Sequence, residues 1–180
     1  MKRSLFLAIA AIALVAVPRV SHAQLGALQP FQLGVAGGGA LPRGDLSTTS
    51  KTGYNGTVAL AINLPIIPVG LRVDGAYNAF SAKAAGGAKL SVMSATGNIV
   101  YGLPIPEFSP YLIGGAGLYM PTVTAPGLAS TTEHHFGWNA GAGVNLPLSV
   151  FKAFVEARYN RIPVNGGSLQ FVPVTVGIMF

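Results

Sequence analysis

Five ionisable residues stand inside otherwise uncharged stretches, in two groups. Arg72 and Asp74 are two residues apart; Glu156 and Arg158 are two apart, with Lys152 four before Glu156. Side chains two apart on an extended strand leave the same face, so each pair sets a cation beside an anion. Facing each other across an interior, Arg72, Asp74, Lys152, Glu156 and Arg158 could line and gate a narrow conduit. They could equally form a structural network that pairs buried charges, because a buried charge without its partner is expensive. Either reading needs two strands on opposite walls of one enclosure.

Other residue groups suggest chemistry less well. Glu133-His134-His135 offers imidazoles, but neighbours on a strand point in opposite directions and ligate one metal poorly, so no metal ligand is predicted. A lipid-modifying hydrolase would need a serine nucleophile and an orienting carboxylate beside a histidine. No strand carries a His-x-Ser pair, so no catalytic residue and no cofactor are predicted. Arg43-Gly44-Asp45 spells an adhesion tripeptide, although those residue types also make turns. Arg43, Lys51, Lys83, Lys89 and Arg161 outnumber Asp45 and Glu133 at loop positions or their borders, a basic rim suited to lipid phosphates or simply solvated. The Asn55-Gly56-Thr57 sequon lies within a strand and is discounted.

The elements that hold these residues alternate in twos. Phe31–Ala40 places Phe31, Leu33 and Val35 on one face. Tyr54–Leu64 sets Val58, Leu60, Ile62 and Leu64 against Asn55, Thr57 and Asn63. Val69–Phe80 sets Leu71, Val73 and Tyr77 against Arg72, Asp74 and Asn78, and Ser91–Leu103 sets Met93, Ile99 and Tyr101 against Ser94, Thr96 and Asn98. Tyr111–Met120 is glycine-laden and its phase is ambiguous. His135–Leu146 alternates Phe136, Trp138, Val144 and Leu146 with Gly137, Asn139, Gly141 and Asn145; Lys152–Ile162 alternates Val155, Ala157 and Tyr159 with Glu156, Arg158 and Asn160. Leu169–Phe180 completes eight strands near the ~9–11 residues needed to cross a bilayer at a tilt.

Connections alternate as well. Polar segments such as 41–53 and 121–134 are long, whereas Leu64-Pro65, Leu103-Pro104 and Leu146-Pro147 open proline-bounded turns, and residues 163–168 form the last loop. Proline cannot donate to a ladder and stops a strand. The polar faces carry Asn, Ser, Thr and Gly rather than the Lys and Glu of a water-exposed surface. Small uncharged residues suit a crowded interior, since an eight-stranded barrel is only wide enough for side chains to fill. A soluble lipocalin-like barrel would reverse the faces. Tyr54, Phe80, Tyr101, Tyr111, Phe136, Phe151 and Phe171 lie near strand ends, as interfacial aromatic girdles do.

The 180 residues allow one domain. Lys2 and Arg3, an apolar run from Leu5 to Val17 and Ser21-His22-Ala23 form a signal-peptide pattern over residues 1–23, with the barrel domain at 24–180 and a mature start at Gln24. Removing Lys2, Arg3 and Arg19 leaves 8 basic residues against 5 acidic, net +3 instead of +6. No Lys/Arg cluster interleaved with aromatics supports nucleic-acid binding. The absence of cysteine excludes disulfides and thiol chemistry.

The final strand is the most specific. Val172, Val174, Val176, Ile178 and Phe180 form an unbroken apolar face ending on a terminal aromatic. This resembles the closing strand of bacterial outer-membrane barrels, and the whole chain from residue 24 resembles the eight-stranded families that include OmpX and the OmpA membrane domain. The resemblance implies an all-β, eight-stranded antiparallel up-and-down transmembrane β-barrel in the outer membrane of a Gram-negative cell. It implies a monomer among outer-membrane lipid and lipopolysaccharide, with Val172, Val174, Val176, Ile178 and Phe180 as the signal read by the barrel-assembly machinery. With no peptidoglycan-binding domain after Phe180, a tethering role is not expected. The function expected is structural or surface-interacting through the extracellular loops. The alternatives are a narrow pore, a lipid A-modifying enzyme and a soluble lipocalin-like carrier.

Overall fold

The computed structural model of the chain describes residues 31–64, 68–84, 87–103, 105, 109–127, 129–148 and 151–180. The expected leader and Gln24 lie outside the described residues, as do Pro65 and Pro104 of the proline-bounded turns. Eight long strands follow in chain order: β1 (Phe31–Arg43), β2 (Gly53–Asn63), β3 (Val69–Ser81), β4 (Lys89–Gly102), β5 (Pro110–Thr124), β6 (His135–Pro147), β7 (Lys152–Val164) and β8 (Gly167–Met179). Each is antiparallel to its chain neighbour, and β1 also pairs with β8, with Gly37 opposite Val176. The last residue completes the closure, since Leu33 and Phe180 exchange both backbone hydrogen bonds at 2.8 and 2.9 Å. A closed up-and-down meander leaves no strand edge among these eight, which is what a backbone surrounded by hydrocarbon requires.

The alternation read from the sequence fixes the faces. Phe136, Tyr54, Phe31, Val58 and Val176 are 60–67 % exposed on the outer wall, an apolar belt that water would penalise and lipid would not. The soluble-carrier arrangement needs the reverse. Inside, Asn55, Asn78, Thr96, Asn98, Asn139, Asn160 and Thr175 are buried. Among the described residues no helix is long and apolar enough to cross a membrane; strands of 11 to 15 residues do so.

Several expectations are corrected. Phe80, Tyr111 and Phe171 do not belong to an outer girdle: they are 2, 3 and 0 % exposed and point inward, whereas Tyr54, Tyr101, Phe136 and Phe151 are exposed. Nearness to a strand end places a residue in depth, but parity decides its face. The ambiguous strand β5 turns Tyr111, Ile113 and Tyr119 inward and Leu112 and Leu118 outward, and it runs four residues beyond Met120. Segment 41–53 is not all loop, since it contains the short helix α1 (Asp45–Thr49), whose Leu46 is buried. The segment 163–168 is mostly strand. Only Asn165 and Gly166 turn, with Gly166 at φ +82°, the left-handed geometry that Asn-Gly hairpins favour.

Candidate functional site

The interior is built in three layers. At the end carrying the long loops, Ala40, Leu46, Phe80, Val92, Tyr119, Ile162 and Phe171 form an apolar cluster, with the rings of Phe80 and Phe171 edge to face at 5.5 Å. At the end carrying the proline-bounded turns, Ala59, Ala61, Phe154 and Met179 form a second. Between them lies a polar layer with the charged residues at its centre.

β3 and β7 position those charges. The two strands run in the same direction on opposite walls, so residues at one height face each other. β3 reads Arg then Asp and β7 reads Glu then Arg, so each level pairs opposite signs. Arg72 Nη2 donates to both oxygens of Glu156, at 2.9 and 2.7 Å. Arg158 Nη1 donates to Asp74 Oδ2 at 2.7 Å. Within each strand, Arg72 Nε lies 3.0 Å from Asp74 Oδ1, and Arg158 Nε and Nη2 both donate to Glu156 Oε1, the former at 3.1 Å. The result is a closed ring of two cations and two anions, each arginine touching both carboxylates. All four are at most 9 % exposed.

Neutral groups complete the ring. Asn98 Nδ2 donates to Asp74 Oδ2 at 3.0 Å and the Tyr111 hydroxyl donates to Glu156 Oε2 at 2.8 Å. Tyr111 reaches across because its partner on β6 is Gly143, and a Cβ there would clash with the phenol end of the tyrosine. Above the ring, Asn55 donates to Asn78 at 2.8 Å and the Tyr119 hydroxyl to Asn160 at 3.0 Å. The void left in this layer is about 30 Å³, room for about two waters at ~10–15 Å³ each.

Lys152, grouped with these charges in the sequence, stands apart: it is exposed at the start of β7, outside the ring. Tyr111 and Phe154 were missed as interior residues, and Asn98, read on a polar inward face, was not singled out as a partner of Asp74. For Tyr111 both faces of β5 are apolar, and only the glycines facing it on β6 mark the side with room for a ring.

The long-loop end has its own architecture. The connections that follow β1 and β3 are joined through the Ser50–Ala82 bridge and by Lys83 Nζ, which donates to the Ser47 carbonyl at 2.5 Å. A cavity of about 510 Å³ opens there above the apolar cluster, lined by Leu46, Leu90, Pro121, Val123, Val164 and Leu169, with Lys89 and Glu133 also in its wall. The Arg43-Gly44-Asp45 tripeptide is divided between the end of β1, a left-handed Gly44 at φ +52° and the first turn of α1. Glu133 and His135 pair at 2.8 Å, while His134 is exposed. Among the described residues no three His, Cys, Asp or Glu side chains gather as a metal site. On β8, Val174, Val176, Ile178 and Phe180 are exposed on the outer wall and Val172 is half-buried.

The family model for the outer membrane protein beta-barrel domain matches residues 5–180. Among solved structures, the chain is similar to Neisserial surface protein A, with a TM-score of 0.69 at 17% identity, covering 83% of this chain and 96% of that one. It is similar to Ail, the attachment invasion locus protein of Yersinia pestis, with a TM-score of 0.51 at 17% identity over 83% and 98%. The N-terminal β-barrel domain of Pseudomonas aeruginosa OprF gives 0.50 at 13% identity over 83% and 97%. No curated protein sequence matches the chain. At these identities the structural likenesses establish the fold.

Proposed function

The chain belongs to the outer membrane protein beta-barrel domain family, and from that premise we propose that it is a small integral outer-membrane protein with a structural or surface-interaction role, acting through its long-loop end and neither catalytic nor conducting. The observation that carries this reading is the contrast between its two interiors. The lumen is filled in three layers, with about 30 Å³ of void in the polar one, while the long-loop end holds a cavity of about 510 Å³. Long loops face the outside of the cell in such barrels, so the accessible surface is the extracellular one. Export through a leader over residues 1–23, reading of the Val172–Phe180 face by the assembly machinery, and contact with lipopolysaccharide belong to the same proposal.

The test is cellular fractionation with labelling of lysines from outside intact cells, combined with gel migration of boiled and unboiled protein. Outer-membrane fractionation, a faster unboiled band and labelling at Lys51 and Lys83, both exposed at the long-loop end, support the proposal. A detergent-free soluble protein with equal migration would overturn it in favour of a carrier. A mass change in lipid A on expression would overturn the non-catalytic assignment.

A further inference from the structure

The ionised side chains on the outward faces of the eight strands are all basic. Arg43, Lys89 and Arg161 share the parity of Phe31, Met93 and Val155 respectively, and all three lie near the long-loop end. Two of them belong to one row. Arg43 on β1 is opposite Gln170 on β8, Gln170 is opposite Arg161 on β7, and Arg161 is opposite Trp138 on β6. Strands are ~4.8 Å apart, so the two arginine backbones stand roughly 10 Å from each other, within joint reach of one small group. Both are exposed, and neither has a carboxylate within 4 Å among the described residues.

Gln170 between them is held in place. Its Oε1 accepts from the Tyr159 hydroxyl at 2.9 Å and its Nε2 donates to Ser168 Oγ at 2.7 Å. Gly44 closes over it so tightly that a Cβ there would lie 3.1 Å from Oε1. The amide nitrogen keeps a second hydrogen, since a primary amide donates twice. Trp138, at the end of the row, packs on Tyr159 just below it with ring centroids 5.6 Å apart, the amphipathic pair found where acyl chains meet headgroups.

We propose that Arg43, Gln170 and Arg161 form a binding site on the outer barrel wall for the phosphate of an acylated lipid in the outer leaflet, with Trp138 and Tyr159 against its glycan or upper acyl segment. Guanidinium groups match phosphate oxygens with charge-assisted hydrogen bonds. The site gives a chemical identity to the lipid contact of the membrane reading and rests on that reading.

Trp138 is the chain's single tryptophan, which makes the site its own reporter. The full barrel, folded in zwitterionic detergent, is titrated with diphosphoryl lipid A while Trp138 emission is followed. The expected result is a saturable change whose midpoint rises roughly thirtyfold in Arg43→Gln/Arg161→Gln, at about fivefold per basic group near a lipid surface, and is unmoved in Lys51→Gln/Lys83→Gln. Dephosphorylated lipid A, an arm that needs no variant, is expected to bind as weakly as the double arginine variant. Equal binding of the dephosphorylated lipid, equal loss in the lysine variant, or saturation by inorganic phosphate alone would each overturn the assignment. Heat-modifiability of every protein reports separately on the barrel, so failure of the membrane reading is distinguishable from failure of the site.

Discussion

Glu156 illustrates how much one carboxylate can hold. It accepts from Arg72, Arg158 and Tyr111 at once, and removing its charge leaves two buried guanidinium groups sharing Asp74. Breaking a buried ion pair from one side costs about 3–5 kcal/mol. Tyr111→Phe removes a single hydrogen bond to a charged group, worth about 1.5–3 kcal/mol. Urea midpoints of the barrel refolded in detergent should therefore fall further for Glu156→Gln than for Tyr111→Phe; equal shifts would mean the ring does not act as a unit. Gly143 tests the same tyrosine from the other side. Gly143→Ala drives a methyl into the Tyr111 ring, and such overpacking costs about 1–3 kcal/mol. Gly56→Ala has nothing within 4 Å of its Cβ, and the same urea series should show no loss there.

At the scale of the strand, what matters is the order of the signs. Because β3 and β7 run in one direction, Arg-x-Asp faces Glu-x-Arg with opposite charges at each level. Reversing β7 alone, by Glu156→Arg with Arg158→Glu, sets like charges against each other and should prevent refolding in detergent. Adding Arg72→Asp with Asp74→Arg restores complementarity, and the quadruple variant should regain the faster unboiled band. Recovery no better than the β7 reversal would show that the arrangement depends on side-chain shape and not on charge order. The reading of these strands from sequence succeeded where one face was polar, as in β3 and β7, because hydropathy then reports parity directly. It failed where both faces were apolar, so the phase of β5 was illegible; on β3, β7 and β8 the buried Phe80, Phe154 and Phe171 share the parity of the inward side, but an aromatic ring there has no polarity of its own to announce it. Helix α1 escaped because the four polar residues around Leu46 carry no period, and the Asn165-Gly166 turn was submerged in a longer loop by Pro163. For β8 the proposed assembly role separates from stability. Phe180 is exposed on the outer wall and its closure bonds are backbone ones, so Phe180→Ala should keep its urea midpoint in detergent while its outer-membrane yield in cells falls. A matching fall in both would assign Phe180 to folding alone.

For the whole molecule, closure and filling follow from the same strand count. Eight strands join into a tube with no edge, and a tube that narrow is filled by its own side chains. The filling here is of three kinds in series: an apolar layer around Phe80 and Phe171, the charged ring with its asparagines, and an apolar layer around Phe154 and Met179. An ion crossing the barrel would have to shed water twice and displace a neutral ring of four paired charges between. Conduction through barriers in series is set by the highest that remain, so opening one layer should change little. In planar bilayers the wild-type protein should therefore give no conductance steps, and neither Phe80→Ala/Phe171→Ala nor Phe154→Ala should give them alone. A combined Phe80→Ala/Phe171→Ala/Phe154→Ala variant that keeps the faster unboiled band removes the phenyl rings from both apolar layers and brings water to the polar layer, whose groups can be hydrated. That variant should pass small ions, with currents that change when Glu156 is also altered. Steps from the wild type would overturn the closed lumen, and a silent triple variant would show that the three rings are not what blocks it.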